Sequence, residues 1–376
     1  MRILLASVED VHDVRSWSGT PFHMHAALCD AGADVVTAGP LHERFSLPFK
    51  VLQATRNVLG PGYYSRLREP VILRGYAAQL RAVVAAARPD VVLAPSTIPV
   101  AHLEVDVPIV TWTDATFAGL LDYYPSYSNL SARYRRLGHL MERRALRRVS
   151  RAVYTSEWAA RSAVDVYQVP IERVEVVPFG ANLAHADERS VATTEDTECH
   201  LLLIGRGWYR KGIDIAVETS RRLRDHGVPA VLDVVGSRPP PGARLPAFVR
   251  VHGALEKDDP RAAAEIARLY RTAAFFLLPT RADCTPVVLA EAQAHGVPVV
   301  ASRTGGTRSM LRDGHSGLLV ELTDFPAHAA RAMARVWASP AEYRGMQDAA
   351  RRFYDHRLNW SSAVASVLGI LNGLCR

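Results

Sequence analysis

Apolar positions along this chain of 376 residues fall into short unbroken runs, separated by longer stretches with helical spacing. The run 3–6 (Ile3-Leu4-Leu5-Ala6) predicts a first strand. A polar loop follows, up to Ser18-Gly19-Thr20-Pro21, where Ser18 or Thr20 can cap a helix and Pro21 suits its first turn. That helix reaches about Asp30 and stops at Gly32, and 35–38 predicts a second strand. The alternation repeats with a helix over 74–87 and strands at 91–94, 109–112, 152–155 and 174–177. The stretch 184–199 is small, polar and acidic, which predicts a linker. Strands then return at 200–204, 230–235, 275–278 and 297–301, with a helix over 212–224. From Trp360 onward, Val364, Val367, Leu368 and Leu371 recur at helical spacing.

Short apolar runs alternating with helices indicate parallel sheets covered on both faces. The expected fold class is α/β, with two Rossmann-like doubly wound parallel-sheet domains facing a central cleft. The first domain is expected over 1–183 and the second over 200–355. A last helix within 356–376 is expected to pack back on the N-terminal domain. In such sheets ligands sit outside the carboxyl ends of the strands, so the strand-end loops are where chemistry belongs.

With 48% apolar and 22% charged residues, the chain is that of an ordinary globular protein. The longest apolar run, 273–278, is far shorter than the ~18 residues a membrane span needs. The N-terminal run is also too short for a signal peptide, so a cytoplasmic location is expected. Cys29, Cys199, Cys284 and Cys375 lie far apart with no CxxC pair, against both a zinc site and a disulfide scaffold. The net charge is +7, but lysine occurs only at 50, 211 and 257, and the abundant arginine is scattered. The exception is the helical run 133–151, which holds eight arginines against the single acid Glu142. Its two readings are a solvated face and a surface for anionic lipid or an anionic acceptor, the latter placing the protein at the inner face of the membrane. Nucleic acid is not an expected partner, because no aromatic-rich RNA motif or DNA-reading module accompanies the charge.

Two loops concentrate unusual residues. Gly205-Arg206-Gly207-Trp208-Tyr209-Arg210-Lys211-Gly212 joins a buried strand to a helix and places two cations, Arg206 and Lys211, beside free helix amides. That pairing suits a diphosphate. It is neither a Walker A loop nor a GxGxxG turn. The second loop is Pro279-Thr280-Arg281-Ala282-Asp283-Cys284-Thr285-Pro286. Thr285 can cap the following helix and Pro286 can be its first residue, so the amides of Val287, Val288 and Leu289 form an anion hole. Asp283 stands just before that helix. Glu291 lies inside it, in surroundings too apolar for an unpaired charge. Glu291 reads either as an acceptor for sugar or ribose hydroxyls or as half of a buried ion pair with an arginine; Asp283 reads also as a capping acid.

An acid, seven residues, a glutamate, then Ala-x-Ala-x-Gly-x-Pro-Val-Val-Ala-Ser and the turn Gly305-Gly306 resembles the signature of retaining glycosyltransferases of family 4, of GT-B fold. The loop 205–212 is similar to that family's Gly-Arg…Lys-Gly loop. Asp313-Gly314-His315-Ser316-Gly317-Leu318-Leu319-Val320 is similar to its closing turn. The resemblance implies a retaining transfer from a nucleoside diphosphate sugar, with UDP or GDP as the nucleotide, to a hydroxyl acceptor, without a metal or other cofactor. It implies that Arg206 and Lys211 hold the diphosphate and stabilise the leaving group. Glu291 would accept from the ribose, and Asp283 with the backbone of Cys284, Thr285, Pro286 and Val287 would hold the transferred sugar. Gly253 and Leu255 fall in the base-binding loop, and Gly19 would approach the donor phosphates. Asp114 lies where many members have a sugar-contacting histidine, and reads also as an N-cap. Asp283-Cys284-Thr285-Pro286 departs from the commoner Glu-Gly-Phe-Gly, which bears on the donor sugar. A catalytically silent sugar-nucleotide binder and a nucleotide-sugar epimerase are the alternative readings. The acceptor is not legible; the aromatic stretch 122–127 reads equally as acceptor lining and as packing.

Overall fold

A computed structural model describes residues 1–183 and 189–375. The chain forms two compact units, Pro178–Ser362 and a unit made of Met1–Val177 with the C-terminal residues from Ala363.

The N-terminal unit is a parallel six-stranded sheet. Its strands are β1 (Arg2–Ala6), β2 (Asp34–Ala38), β3 (Val91–Ala94), β4 (Ile109–Thr113), β5 (Arg151–Tyr154) and β6 (Val174–Val176), in the order β2-β1-β3-β4-β5-β6. Its helices are α1 (Thr20–Asp30), α2 (Leu47–Leu59), α3 (Pro70–Ala87), α4 (Phe117–Leu120), α5 (Ala132–Arg148) and α6 (Glu157–Tyr167). The central strands are apolar throughout because both faces are covered: every residue of β3 and β4 is buried. α1 begins as expected, but Gly19 rather than Ser18 or Thr20 is its N-cap. Gly19 holds φ +84°, and no side chain caps the helix. The basic helical run ends at Arg148, since Arg151 already opens β5.

The second unit repeats the plan. Its strands are β7 (Cys199–Ile204), β8 (Ala230–Val235), β9 (Val249–Gly253), β10 (Phe275–Leu278), β11 (Val299–Ser302) and β12 (Gly317–Val320), in the order β12-β11-β10-β7-β8-β9. Its helices are α7 (Ile213–Asp225), α8 (Pro260–Thr272), α9 (Val287–Ala294), α10 (Phe325–Trp337) and α11 (Pro340–Phe353), and the chain ends in α12 (Trp360–Leu374). The strand order reverses between β7 and β10, which pair directly through Phe275 with Leu201 and Phe276 with Leu202. The loops 205–212 and 279–286 leave the carboxyl ends of these two strands. Both singled-out loops therefore open at the topological switch point of this sheet, where doubly wound sheets take their ligands.

The passage between the units falls at Val177–Pro178, ahead of the boundary expected at 183. Residues after Val177 are held by the C-terminal unit. Phe179 stacks on Trp360 at 5.8 Å, the Ala181 amide donates to the Leu358 carbonyl at 2.9 Å, and Trp360 Nε1 donates to Asn182 Oδ1 at 3.1 Å. Part of the expected linker, 184–188, lies outside the described residues. By Ser190 the chain is again tied to the C-terminal unit, its amide donating to the His295 carbonyl at 2.7 Å.

Candidate active site

The loop after β7 is shaped by close backbone approach. Gly212 is the N-cap of α7 at φ +69°, and a Cβ there would stand 1.9 Å from the carbonyl oxygen of Pro279. Only glycine lets the two loops touch. The Lys211 stem crosses Gly205, where a Cβ would meet three of its methylenes at 2.9 Å. These contacts aim the Lys211 ammonium at the neighbouring loop. Its Nζ donates to Asp283 Oδ2 at 2.6 Å, and both residues are buried (8% and 6% exposed). Arg210 backs the pair, with Nη1 3.8 Å from the same oxygen and donating to the Ala282 carbonyl at 3.0 Å. The lysine has three donors, so a bond to Asp283 leaves two for another acceptor.

Arg206 goes elsewhere. It is largely exposed, and its Nη2 donates to Glu256 Oε1 at 2.8 Å. The structure thus brings Lys211 and Asp283 together and sets the Arg206 guanidinium apart on the surface.

α9 begins at Val287, with Pro286 as its N-cap and no side-chain cap. Thr285 is therefore not the capping residue, and Pro286 not the first helical one. The Leu289 amide donates to the Pro286 carbonyl at 2.9 Å. This leaves Val287 and Val288, both half-buried, as first-turn amides without a carbonyl inside the helix. Cys284 is fully buried and Thr285 half-buried beside them. The turn at Gly305-Gly306 is tied to the same loop, the Gly306 amide donating to the Asp283 carbonyl at 3.2 Å.

Glu291 is 2% exposed and is held by two donors. Lys257 Nζ lies 2.6 Å from Oε1, and the Tyr270 hydroxyl donates to Oε2 at 3.0 Å. Burial, and then the adjacent carboxylate, hold the Tyr270 phenol well above its ordinary pKa, so it stays a donor. The buried-pair reading is the one the geometry shows, with lysine in place of the expected arginine. Each carboxylate oxygen keeps a second lone-pair direction for a hydroxyl. Lys257 Nζ also donates to the Asn182 carbonyl at 2.8 Å. Sequence reasoning missed Lys257, although its rarity was a signal: two of the three lysines serve the two signature carboxylates, and Lys50 is exposed on α2. Asp258 and Asp259 form an exposed turn in which Asp259 Oδ1 accepts from the Arg261 amide at 2.9 Å, capping α8.

Gly253 ends β9 at φ +70°, its carbonyl accepting from the Gly236 amide at 2.6 Å, and Leu255 packs on the core just beyond. This end of β9 is braced by a buried acid that the strand pattern does not predict. Asp233, in β8 and 4% exposed, lies 2.7 Å from His252 Nε2 and 3.3 Å from His200 Nδ1 on the flanking strands. Burial raises its pKa, but hydrogen bonds from His200 and His252, and their charge, outweigh it and leave the pKa below the ordinary value. A lowered folded-state pKa means stability that is present above the unfolded value of about 3.9 and is lost as pH falls through the lower folded one. Asp233→Asn is expected to flatten the loss of stability across that acid window, as read by urea denaturation at a series of pH values.

In the N-terminal unit, Gly19 heads α1 after β1, and a Cβ there would meet the Val14 carbonyl oxygen at 3.0 Å. Asp114 is half-buried just past β4. The cap of the following helix is Thr116, whose hydroxyl accepts from the Gly119 amide at 3.1 Å, so the N-cap reading of Asp114 falls. In the aromatic stretch, Tyr123 contacts the Trp158 ring at 5.0 Å and Tyr127 contacts Phe117 at 6.2 Å, so both rings take part in packing.

Comparison with known proteins agrees with this geometry. Residues 22–185 match the model of Glycosyltransferase Family 4, and residues 198–339 match that of Glycosyl transferases group 1. The D-inositol 3-phosphate glycosyltransferase of Acidothermus cellulolyticus is 33% identical over 237 residues, covering 57% of this chain and 52% of that protein. The enzyme of the same name from Geodermatophilus obscurus is 31% identical over 246 residues, covering 60% and 53%. The match thus spans about half the length of these curated relatives. Among solved structures, sucrose-phosphate synthase from Thermosynechococcus elongatus superposes with a TM-score of 0.72 at 17% identity, covering 100% of this chain and 99% of that one. Anabaena HepE, solved in complex with UDP-glucose, gives 0.65 at 16% identity, with 100% of each chain covered. The chain belongs to the family 4 glycosyltransferases, with the two Rossmann-like sheets of the GT-B fold. Among its described residues no helix is long and apolar enough to cross a membrane.

Proposed function

We propose that the protein is a retaining glycosyltransferase that moves a sugar from a nucleoside diphosphate sugar to a hydroxyl acceptor without a metal ion. The observation that carries this reading is the buried Lys211 ammonium, set at the switch point beside Asp283. A departing nucleoside diphosphate gathers negative charge, and preorganised cations and helix amides stabilise it. Lys211 offers two remaining N–H donors, α9 offers the amides of Val287 and Val288, and Arg206, on exchanging Glu256 for the diphosphate, adds a second cation from the exposed side of the same loop. Asp283 receives hydroxyls of the transferred sugar, and Glu291, held by Lys257 and Tyr270, receives those of the ribose. Gly253 and Leu255 border the base. Retention follows from family membership: the leaving phosphate takes the acceptor proton on the face it departs from.

The HepE complex shows that one relative of this fold takes UDP-glucose, so UDP-sugars head the donors to be tried, with GDP-sugars next. The test is a donor panel read first by thermal shift, since a ligand of the native state raises the melting temperature as RT ln(1 + [L]/Kd). Slow sugar release from the donor that binds is the second readout. Expected is one nucleotide class that binds and is hydrolysed at rates unchanged by EDTA. Binding without hydrolysis under any acceptor would favour a silent binder, and loss of activity in EDTA would remove the metal-free assignment.

A further inference from the structure

The basic helix α5 does more than present a charged face. Together with α3 and the segment between β3 and β4 it walls an open cavity of about 430 Å³ in the N-terminal unit. Six of the lining residues are basic: Arg74, His102, Arg143, Arg144, Arg147 and Arg148. Arg144 and Arg148 share the exposed carboxylate of Glu104. Among the described residues, Arg74, Arg143 and Arg147 have no carboxylate at ion-pair distance, and the single acid of α5, Glu142, is turned inward onto Arg68. Five guanidinium groups and one acid around a single cavity leave a strongly positive site.

The wall also contains buried donors without partners. His102 is only 8% exposed, and its Nε2 makes no hydrogen bond in the protein; neither does the buried Nε of Arg144. Leaving such atoms unmade is costly, and both residues line the cavity. Burial, and then the charges of Arg144, Arg74 and Arg148, push the His102 pKa down to about 4. The ring is therefore neutral near pH 7 rather than a further cation. Planar guanidinium forks match tetrahedral oxyanions in bidentate fashion. Pro70, Leu140 and Met141 line the rest of the cavity and suit the carbon part of a phosphate ester.

We propose that this cavity is a binding site for the phosphate group of a phosphorylated small molecule or of an anionic lipid headgroup. It is built on elements other than the donor loops and does not depend on the proposed transfer reaction.

The test uses the full chain labelled with 15N-histidine. The His102 ring signal, identified by its loss in His102→Gln, is followed during titration with inorganic phosphate and with glycerol 3-phosphate against matched sodium chloride. In parallel, sedimentation with phosphatidylcholine vesicles is compared with vesicles containing phosphatidylglycerol. Arg143 and Arg147 are exposed, so the double variant Arg143→Ala/Arg147→Ala is expected to keep its fold. A saturable His102 shift, weakened at least tenfold in the double variant, supports the site. Sedimentation with phosphatidylglycerol vesicles alone, lost in the same variant, identifies the lipid as the source of the phosphate; its absence identifies a soluble ester. A His102 signal that phosphate compounds and vesicles leave unmoved, or a shift that the double variant retains at full affinity, overturns the proposal.

Discussion

Lys211→Ala is expected to lower kcat/KM for sugar transfer by between about ten- and a hundred-fold. A charge-assisted hydrogen bond is worth about 1.5–3 kcal/mol, and each 1.4 kcal/mol is a factor of ten in rate. The same substitution takes from Asp283, which is 6% exposed, the lysine bonded to it at 2.6 Å, leaving Arg210 at 3.8 Å. Breaking a buried pair from one side costs about 3–5 kcal/mol, so a fall in melting temperature is expected as well. The two effects separate in the double variant Lys211→Ala/Asp283→Asn. Removing the buried charge restores part of the stability, while transfer stays slow because the diphosphate still lacks its cation and the sugar its carboxylate. If the double variant regained wild-type turnover, Lys211 would be only a structural partner of Asp283.

Gly212→Ala is expected to destabilise the protein strongly. The residue holds φ +69°, and a left-handed conformation costs an L-residue about 1–2 kcal/mol. The added methyl would also stand 1.9 Å from the Pro279 carbonyl oxygen, a backbone atom with no rotamer to retreat to. Either the β7 loop or the β10 loop must move, and Lys211 moves with it. The total is expected to exceed about 3 kcal/mol, in the range reserved for core clashes and strained backbone. Chemical denaturation of the variant checks this. Gly227→Ala is the control, since it also has positive φ but nothing within 4 Å of its Cβ. It is expected to pay the conformational term alone.

The parts of this architecture that rest on periodicity were readable. Phe275 to Leu278 and Val299 to Ser302 are apolar because both sheet faces are covered, and such runs announce themselves without any partner. The two loops at the switch point were readable as unusual for a related reason, since glycines, a rare lysine and a proline-headed helix follow strands directly. Residues joined only by the fold were not readable. Lys257 meets Glu291 from another loop, 34 residues away along the chain. The Asp233 cluster draws on three neighbouring strands, and pairing order is invisible along the chain. Arg206 shows the converse: its motif points to phosphate, yet the neighbouring turn supplies Glu256 as a competing anion. Local caps were also misjudged, because Thr285 and Ser18 have capping chemistry but Pro286 and Gly19 take the cap positions.

The most direct test of the account is a crystal structure of the protein with its nucleoside diphosphate. The β-phosphate is expected within hydrogen-bond distance of Lys211 Nζ and the amides of Val287 and Val288, with the ribose on Glu291 and no metal between protein and phosphate. A diphosphate bound away from Lys211, or one gripped through a divalent ion, would contradict it.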